Sequence, residues 1–144
     1  LHKLRGDAEP SLFAKNTKEV EAIAINAVMD AERALGFTPV DISVEKRGYD
    51  IESRDPSGAS RLRFIEVKGR IDGADTVTIS KNEILTALNQ PEQFILGIVR
   101  VANGQAKEIA YVREPFGREP DFGVTSVNYN LSELWARGIP PSRI

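Results

Sequence analysis

Residues 61–70 read RLRFIEVKGR, and the fold turns on how this stretch is read. Phe64, Ile65 and Val67 put apolar groups on both faces of an extended segment, the pattern of a strand buried on both sides in the middle of a sheet. At a period of two, Glu66 and Lys68 then point to one face. A carboxylate and an ammonium placed there are costly unless they are paired or used. The E-x-K triplet alone signals nothing, because thirteen glutamates and seven lysines in 144 positions produce about 0.6 such triplets by chance. Its position near the end of a central strand is what carries weight.

Working outward, Tyr49 to Ser53 forms a strand that the RDPSGAS loop joins to the central one, so hairpin pairing brings Asp50 toward Glu66. Val40, Ile42 and Val44 alternate with polar residues, which predicts a further strand ending at a Gly48 turn. Upstream, Val20, Ile23, Ala24, Ala27, Val28, Ala31 and Leu35 recur at helical spacing. The capping pair Asn16 and Glu19 predicts a start near Thr17, and Gly36 and Pro39 predict the stop. Downstream, a strand over 76–79 leads through the capping box Ser80 and Glu83 into a helix that Pro91 closes. Strands over 93–101, 108–113 and 124–129 and a short helix over 131–137 complete the chain. Consecutive strands on short turns, with helices before and between them, predict an α+β fold: a mixed central sheet flanked by helices. Residues 1–15 read as a lead-in or linker and 16–144 as a single domain. A chain that begins at Leu1 without methionine reads as the C-terminal part of a larger protein.

Composition narrows the chemistry. No cysteine is present, which excludes disulfides, thiolate nucleophiles and cysteine metal cages and fits a reducing cytoplasm. The one histidine, His2, lies at an end expected to fray, so serine-histidine triads and histidine-ligated zinc fall away. No apolar run approaches the ~20 residues that span a bilayer, so no membrane helix is expected. What remains is carboxylates, lysine, arginine and hydroxyls, with a hard cation that prefers oxygen. Net charge is −2, yet seven basic residues face four acidic ones between Lys46 and Arg70. That local excess predicts a phosphate-binding surface of Arg47, Arg54, Arg61, Arg63 and Arg70, the alternative being an ordinary solvated strand face.

Two carboxylates held close on rigid strands repel, and a divalent cation between them is one stable resolution. Mg2+ or Mn2+ would take Asp50, Glu66 and the Val67 carbonyl, and Lys68 would position water and offset charge developing on phosphorus. A structural salt bridge of Glu66 with Lys68 or an arginine stands as the alternative. Glu21 and Glu32 lie eleven residues apart on one side of the first helix; Glu21 is a candidate to join the site, and Glu32 reads as a solvated flank. Phe116 and Trp135 read as core.

The strings VEAIAINAVMDAERALGFTPVDISVEKRGYDIES, RFIEVKGR and TISKNEILTAL resemble the domain at the C-terminus of the plant protein NO VEIN, found also at the end of many bacterial and archaeal helicase-like proteins. That domain is similar to the PD-(D/E)xK superfamily of restriction-endonuclease-like nucleases. The resemblance, over about residues 17–102, implies an endonuclease-like core, with Asp50, Glu66 and Lys68 at the acidic, acidic and lysine positions and Glu21 as the helix acid. Tyr49 stands where the superfamily name has proline. The resemblance further implies DNA as partner, a helicase or restriction/defence protein as parent, and a homodimer as an assembly to consider. A silent DNA-binding module and a protein-interaction domain are the other functions such a fold serves.

Overall fold

The computed structural model describes the backbone from His2 to Ile144 and the side chains from Asn16 onward. The chain runs α1 (His2–Ala34), β1 (Thr38–Asp41), β2 (Ile51–Arg54), β3 (Arg63–Ile71), β4 (Thr76–Ser80), α2 (Lys81–Asn89), β5 (Phe94–Ala102), β6 (Gln105–Arg113), β7 (Ser126–Asn130) and α3 (Leu131–Ala136), with 3-10 turns at Ser43–Glu45 and Pro141–Arg143. Five strands form one mixed sheet in the order β1-β2-β3-β5-β6, in which β3 and β5 pair in parallel and the other neighbours antiparallel. β4 and β7 make a separate antiparallel pair. No helix among the described residues is long and apolar enough to cross a membrane.

The continuous apolar character of β3 and β5 follows from cover on both faces. On one face Ile65 and Val67 of β3 and Ile95 and Val99 of β5 pack with Ala24 and Val28 of α1. On the other, Phe94, Leu96 and Ile98 pack with Val77 and Ile79 of β4, Ile84 and Ala87 of α2 and Leu134 of α3. Gly69 lets α1 lie close: a Cβ there would stand 2.9 Å from both Ala24 Cβ and Val20 Cγ1. Phe116 is buried beside Phe94 and Tyr129, and Trp135 packs against the same core, as their sequence context implied.

Four expectations are corrected. α1 begins at His2 rather than near Thr17, so Asn16 is interior to a helix; a capping pair marks where a helix can start, not where it must. The lead-in expected over 1–15, like the place of the His2 side chain, falls on residues whose side chains lie outside those described. β1 ends at Asp41, whose carboxylate accepts from Ser43 N at 2.9 Å and Ser43 Oγ at 2.7 Å, a local turn that breaks the strand. Pro39 and Ile42 are consequently buried, while Val40 is 54% and Val44 88% exposed. β6 begins at Gln105, three residues before the expected Glu108.

The fourth correction concerns Glu32, which is fully buried instead of lining a solvated flank. Arg63 Nη1 donates to it at 3.0 Å and Tyr111 Oη at 2.9 Å, and the Arg63 guanidinium lies 4.1 Å over the Phe37 ring. Burial, then the Glu32 carboxylate, hold the Tyr111 hydroxyl far above its ordinary pKa. Charges taken from water cost several kcal/mol each unless geometry and hydrogen bonds compensate, and removing one partner strands the other. Glu32→Ala or Arg63→Ala should therefore destabilise the domain by about 3–5 kcal/mol in urea titrations. Replacing both with methionine should recover part of that loss; a single-variant cost below about 1 kcal/mol would show that the pair contributes little.

Candidate active site

The register Ile51 opposite Ile65 carries Asp50 to a position facing Glu66. Asp50 is held at three points: its N–H donates to Ile65 O at 2.9 Å, its carbonyl accepts from Ile42 N at 2.8 Å, and its Oδ2 accepts from Val67 N at 2.9 Å. Two neighbours fix the approach. Tyr49 stacks on Phe64 with ring centroids 4.4 Å apart, and Gly48, at φ 90°, lies so near α2 that a Cβ would fall 2.2 Å from Thr86 Oγ1. Glycine is required there both for the dihedral and for the space.

Beyond Ile65 the chain of β2 diverges, and β3 presents a free edge. N–H and C=O of one residue share a side of a strand, so the Val67 carbonyl lies on the edge where its N–H meets Asp50. Glu66, 3% exposed, projects toward α2 with Lys68, whose Nζ lies 3.1 Å from Glu66 Oε2 and 3.2 Å from Glu83 Oε1. Glu83 also closes the capping box of α2: its Oε1 accepts from Ser80 N at 2.9 Å, and its N–H donates to Ser80 Oγ at 3.2 Å. Asp50, Glu66, Lys68 and Glu83 line a cavity of about 620 Å³.

Electrostatics reflect crowding of like charge. Burial, and next the Asp50 carboxylate, push Glu66 well above the ordinary carboxylate range. Burial raises Asp50 too, against the opposing pull of the Val67 amide, Lys68 and a hydrogen bond with Glu66. For Lys68 burial acts downward, but Glu66 and Glu83 outweigh it and the ammonium is favoured. Either a proton or a cation would relieve a pair so crowded. Among the described residues no three carboxylates or imidazoles are grouped to cage an ion. Two carboxylates and one carbonyl fit Mg2+ or Mn2+, which keep water in their remaining positions and need few protein ligands.

The expected residues are only partly together. Glu21 lies exposed on α1 and lines the same cavity. Of the five arginines, Arg70 lines it as well. Arg63 is 7% exposed and taken by Glu32, so its expected place on a phosphate-binding surface is corrected. Arg47 pairs with Glu45 at 2.6 Å and Arg54 with Glu52 at 3.6 Å beside β1, while Arg61 pairs with Glu92 elsewhere. Glu83 is the residue missed: its capping role was legible, but its second role depends on α2 docking over β3.

The family model described as protein NO VEIN, C-terminal, matches residues 20–112. The chain belongs to this family. No curated protein matches this sequence. Among solved structures, the Holliday junction resolvase Hjc of the archaeal hyperthermophile Archaeoglobus fulgidus is similar, with a TM-score of 0.56 at 12% identity over 82% of this chain and 96% of the resolvase. The fold of this chain is thereby restriction-endonuclease-like.

The raised carboxyl pKa values have a defined pH signature. A carboxyl with its folded value raised contributes stability at pH below its unfolded value of about 4.3, and this is lost as pH rises through the folded value. Metal-free protein should therefore weaken from pH 5 toward 8. A 10 mM addition of Mg2+ or Mn2+, at a Kd of about 1 mM, should restore about 1.4 kcal/mol at pH 8, or about 3–6 °C in Tm, with less effect at pH 5. In Glu66→Gln both the pH slope and the metal response should shrink; a metal-insensitive wild type with a severely destabilised Glu66→Gln would mark a purely structural salt bridge.

Proposed function

We propose that this domain is a Mg2+- or Mn2+-dependent nuclease that hydrolyses DNA phosphodiester bonds. The observation that carries the reading is the excess of acid at Asp50, Glu66 and Glu83 around one lysine on a buried strand, an arrangement costly for a core and suited to a cation and a phosphate. A bound divalent ion would polarise the phosphodiester and lower the pKa of a water. Asp50, Glu66 and the Val67 carbonyl would hold that ion. Lys68 would orient the attacking water and offset charge developing on phosphorus, its ammonium aimed by Glu66 and Glu83. Glu21, across the cavity on α1, would hydrogen-bond water on the open side.

Attachment to a helicase or defence protein, with work in the cytoplasm, belongs to the same proposal. One site cuts one strand, so cleavage of both strands of a duplex calls for a second copy, and a homodimer is proposed on that ground. A catalytically silent DNA-binding or protein-interaction module is the competing reading, favoured by the way Lys68 is already paired on two sides.

Cleavage of single-stranded, duplex and four-way branched DNA with Mg2+ or Mn2+ decides between them. Lys68→Ala and Asp50→Asn should each lower the metal-dependent rate by at least about a hundredfold with unchanged circular dichroism. Cleavage by Lys68→Ala within a few-fold of wild type would overturn the assigned role. Glu83→Gln, which can still close the capping box, should stay within about 0.5 kcal/mol of wild-type stability yet lose about tenfold in rate, because Lys68 loses one of its two anchors.

A further inference from the structure

The arginines that could have gripped a nucleic acid are, with one exception, engaged within the protein: Arg47, Arg54, Arg61 and Arg63 each pair with a glutamate. Arg70 differs. It follows Glu66 and Lys68 on the same face of β3 by the period of two. It lines the active-site cavity and also the adjoining one beside Trp135 and Ser132. Among the described residues it has no ion-pair partner, and its Nε is buried without a hydrogen-bond acceptor. An unmet guanidinium N–H at that depth is a net cost to folding, which a ligand acceptor would remove.

We propose that Arg70 is a phosphate clamp that grips the phosphodiester next to the one seated over Asp50 and Glu66. The proposal rests on the nuclease reading for the placement of the first phosphate. Four residues of strand separate Glu66 from Arg70, about 13 Å between their Cα atoms, so Arg70 is displaced from the carboxylates along β3 rather than standing over them. A phosphate over the carboxylates can be neutralised by a divalent ion; its neighbour has no such ion and meets the guanidinium instead. The planar fork of arginine matches two phosphate oxygens, and its fixed charge does not depend on pH. Arg70 lines both cavities, so a strand gripped there has a path from one cavity to the next.

The test separates binding from cutting. Fluorescence anisotropy with a labelled oligonucleotide in Mg2+ is read between 50 and 200 mM salt in the Lys68→Ala background, where the DNA survives. Arg70→Met should weaken binding about tenfold and lower the slope of log K against log salt by about 0.7 for single strands or 0.9 for duplex. Arg70→Lys should restore the slope, and Tm should not fall in Arg70→Met, since an unmet donor is removed. In otherwise wild-type protein, a single uncharged methylphosphonate beside the scissile phosphate should slow cleavage, and Arg70→Met should abolish that penalty. An unchanged slope, or a lowered Tm with an unchanged slope, overturns the clamp and assigns Arg70 to the framework. Slope loss in a protein that never cleaves leaves the clamp standing and overturns the nuclease, whereas an unchanged slope in a protein that cleaves does the reverse. Should Arg70→Met fail to fold, Arg70→Gln against Arg70→Lys reads the same difference.

Discussion

The alternation of side chains along β3 is the constraint on which both the core and the site depend. Arg63, Ile65, Val67 and Gly69 face α1; Phe64, Glu66, Lys68 and Arg70 face the other layer. The α1 face descends from a charged residue through two aliphatic ones to a glycine, and each step is answered by α1: Glu32 for Arg63, Val28 and Ala24 for the aliphatics, and contact with Val20 at Gly69. A slip of one residue in pairing with β2 or β5 would turn Ile65 and Val67 into the acidic cavity and bury Glu66 and Lys68 against Ala24, Val28 and Val20, which offer them no charge. Packing and chemistry are thus specified by one register.

The two buried ionic groups on opposite faces of this strand are built differently. Glu32 meets one arginine and one tyrosine hydroxyl, so a single negative charge is matched by a single positive charge and an additional donor. On the other face, Asp50, Glu66 and Glu83 surround Lys68. A structural ion pair tends toward the first composition, because every unmatched charge in a low-dielectric region adds to the cost of folding. The second is unbalanced toward acid, and Asp50 and Glu66 hold protons more tightly than usual. The backbone around Asp50 leaves it no room to relax: amide, carbonyl and carboxylate are each fixed by a hydrogen bond. Crowded acid held in place is what distinguishes this group in composition from the Glu32 pair.

Local signals in the sequence carried the succession of elements along the chain, the Ser80–Glu83 capping box and the Asp50, Glu66 and Lys68 grouping, because each depends on residues close in the chain or on a single hairpin. Where the reading failed, the deciding partner was distant. Glu32 on a helix flank reads as solvated until Arg63, 31 residues on, and Tyr111, 79 residues on, cover it. The basic excess between Lys46 and Arg70 reads as one patch, but hairpin geometry sends Arg47 and Arg54 to the β1 edge, Arg61 to the opposite end of β3 and Arg63 inward. Charge counted along a sequence says nothing of the face each residue takes. Val40 and Val44 alternate properly for a strand, yet the Asp41–Ser43 turn ends it, and only Ile42 of the three goes inward.

The free edge of β3 explains why the site lies where it does. β2 and β3 pair only through Ile51–Ser53 opposite Arg63–Ile65, while β3 continues to Ile71 with β5 as its partner on the other side. Past Ile65 the strand is held by parallel pairing with β5 and contact with α1, while its outer edge has no strand partner among the described residues; there the Val67 amide is taken by Asp50 and the Ile71 carbonyl by Ala74 N. Rigid support with unspent hydrogen-bonding capacity is what a precise polar site requires, since the side chains are positioned by strand geometry rather than by mobile loops. Along this supported edge the same face presents acid at Glu66, an anchored ammonium at Lys68 and, at Arg70, a guanidinium without an ion-pair partner among the described residues. An anionic chain laid across it meets a change from negative to positive potential over four residues of strand, and that gradient gives the cavity a direction.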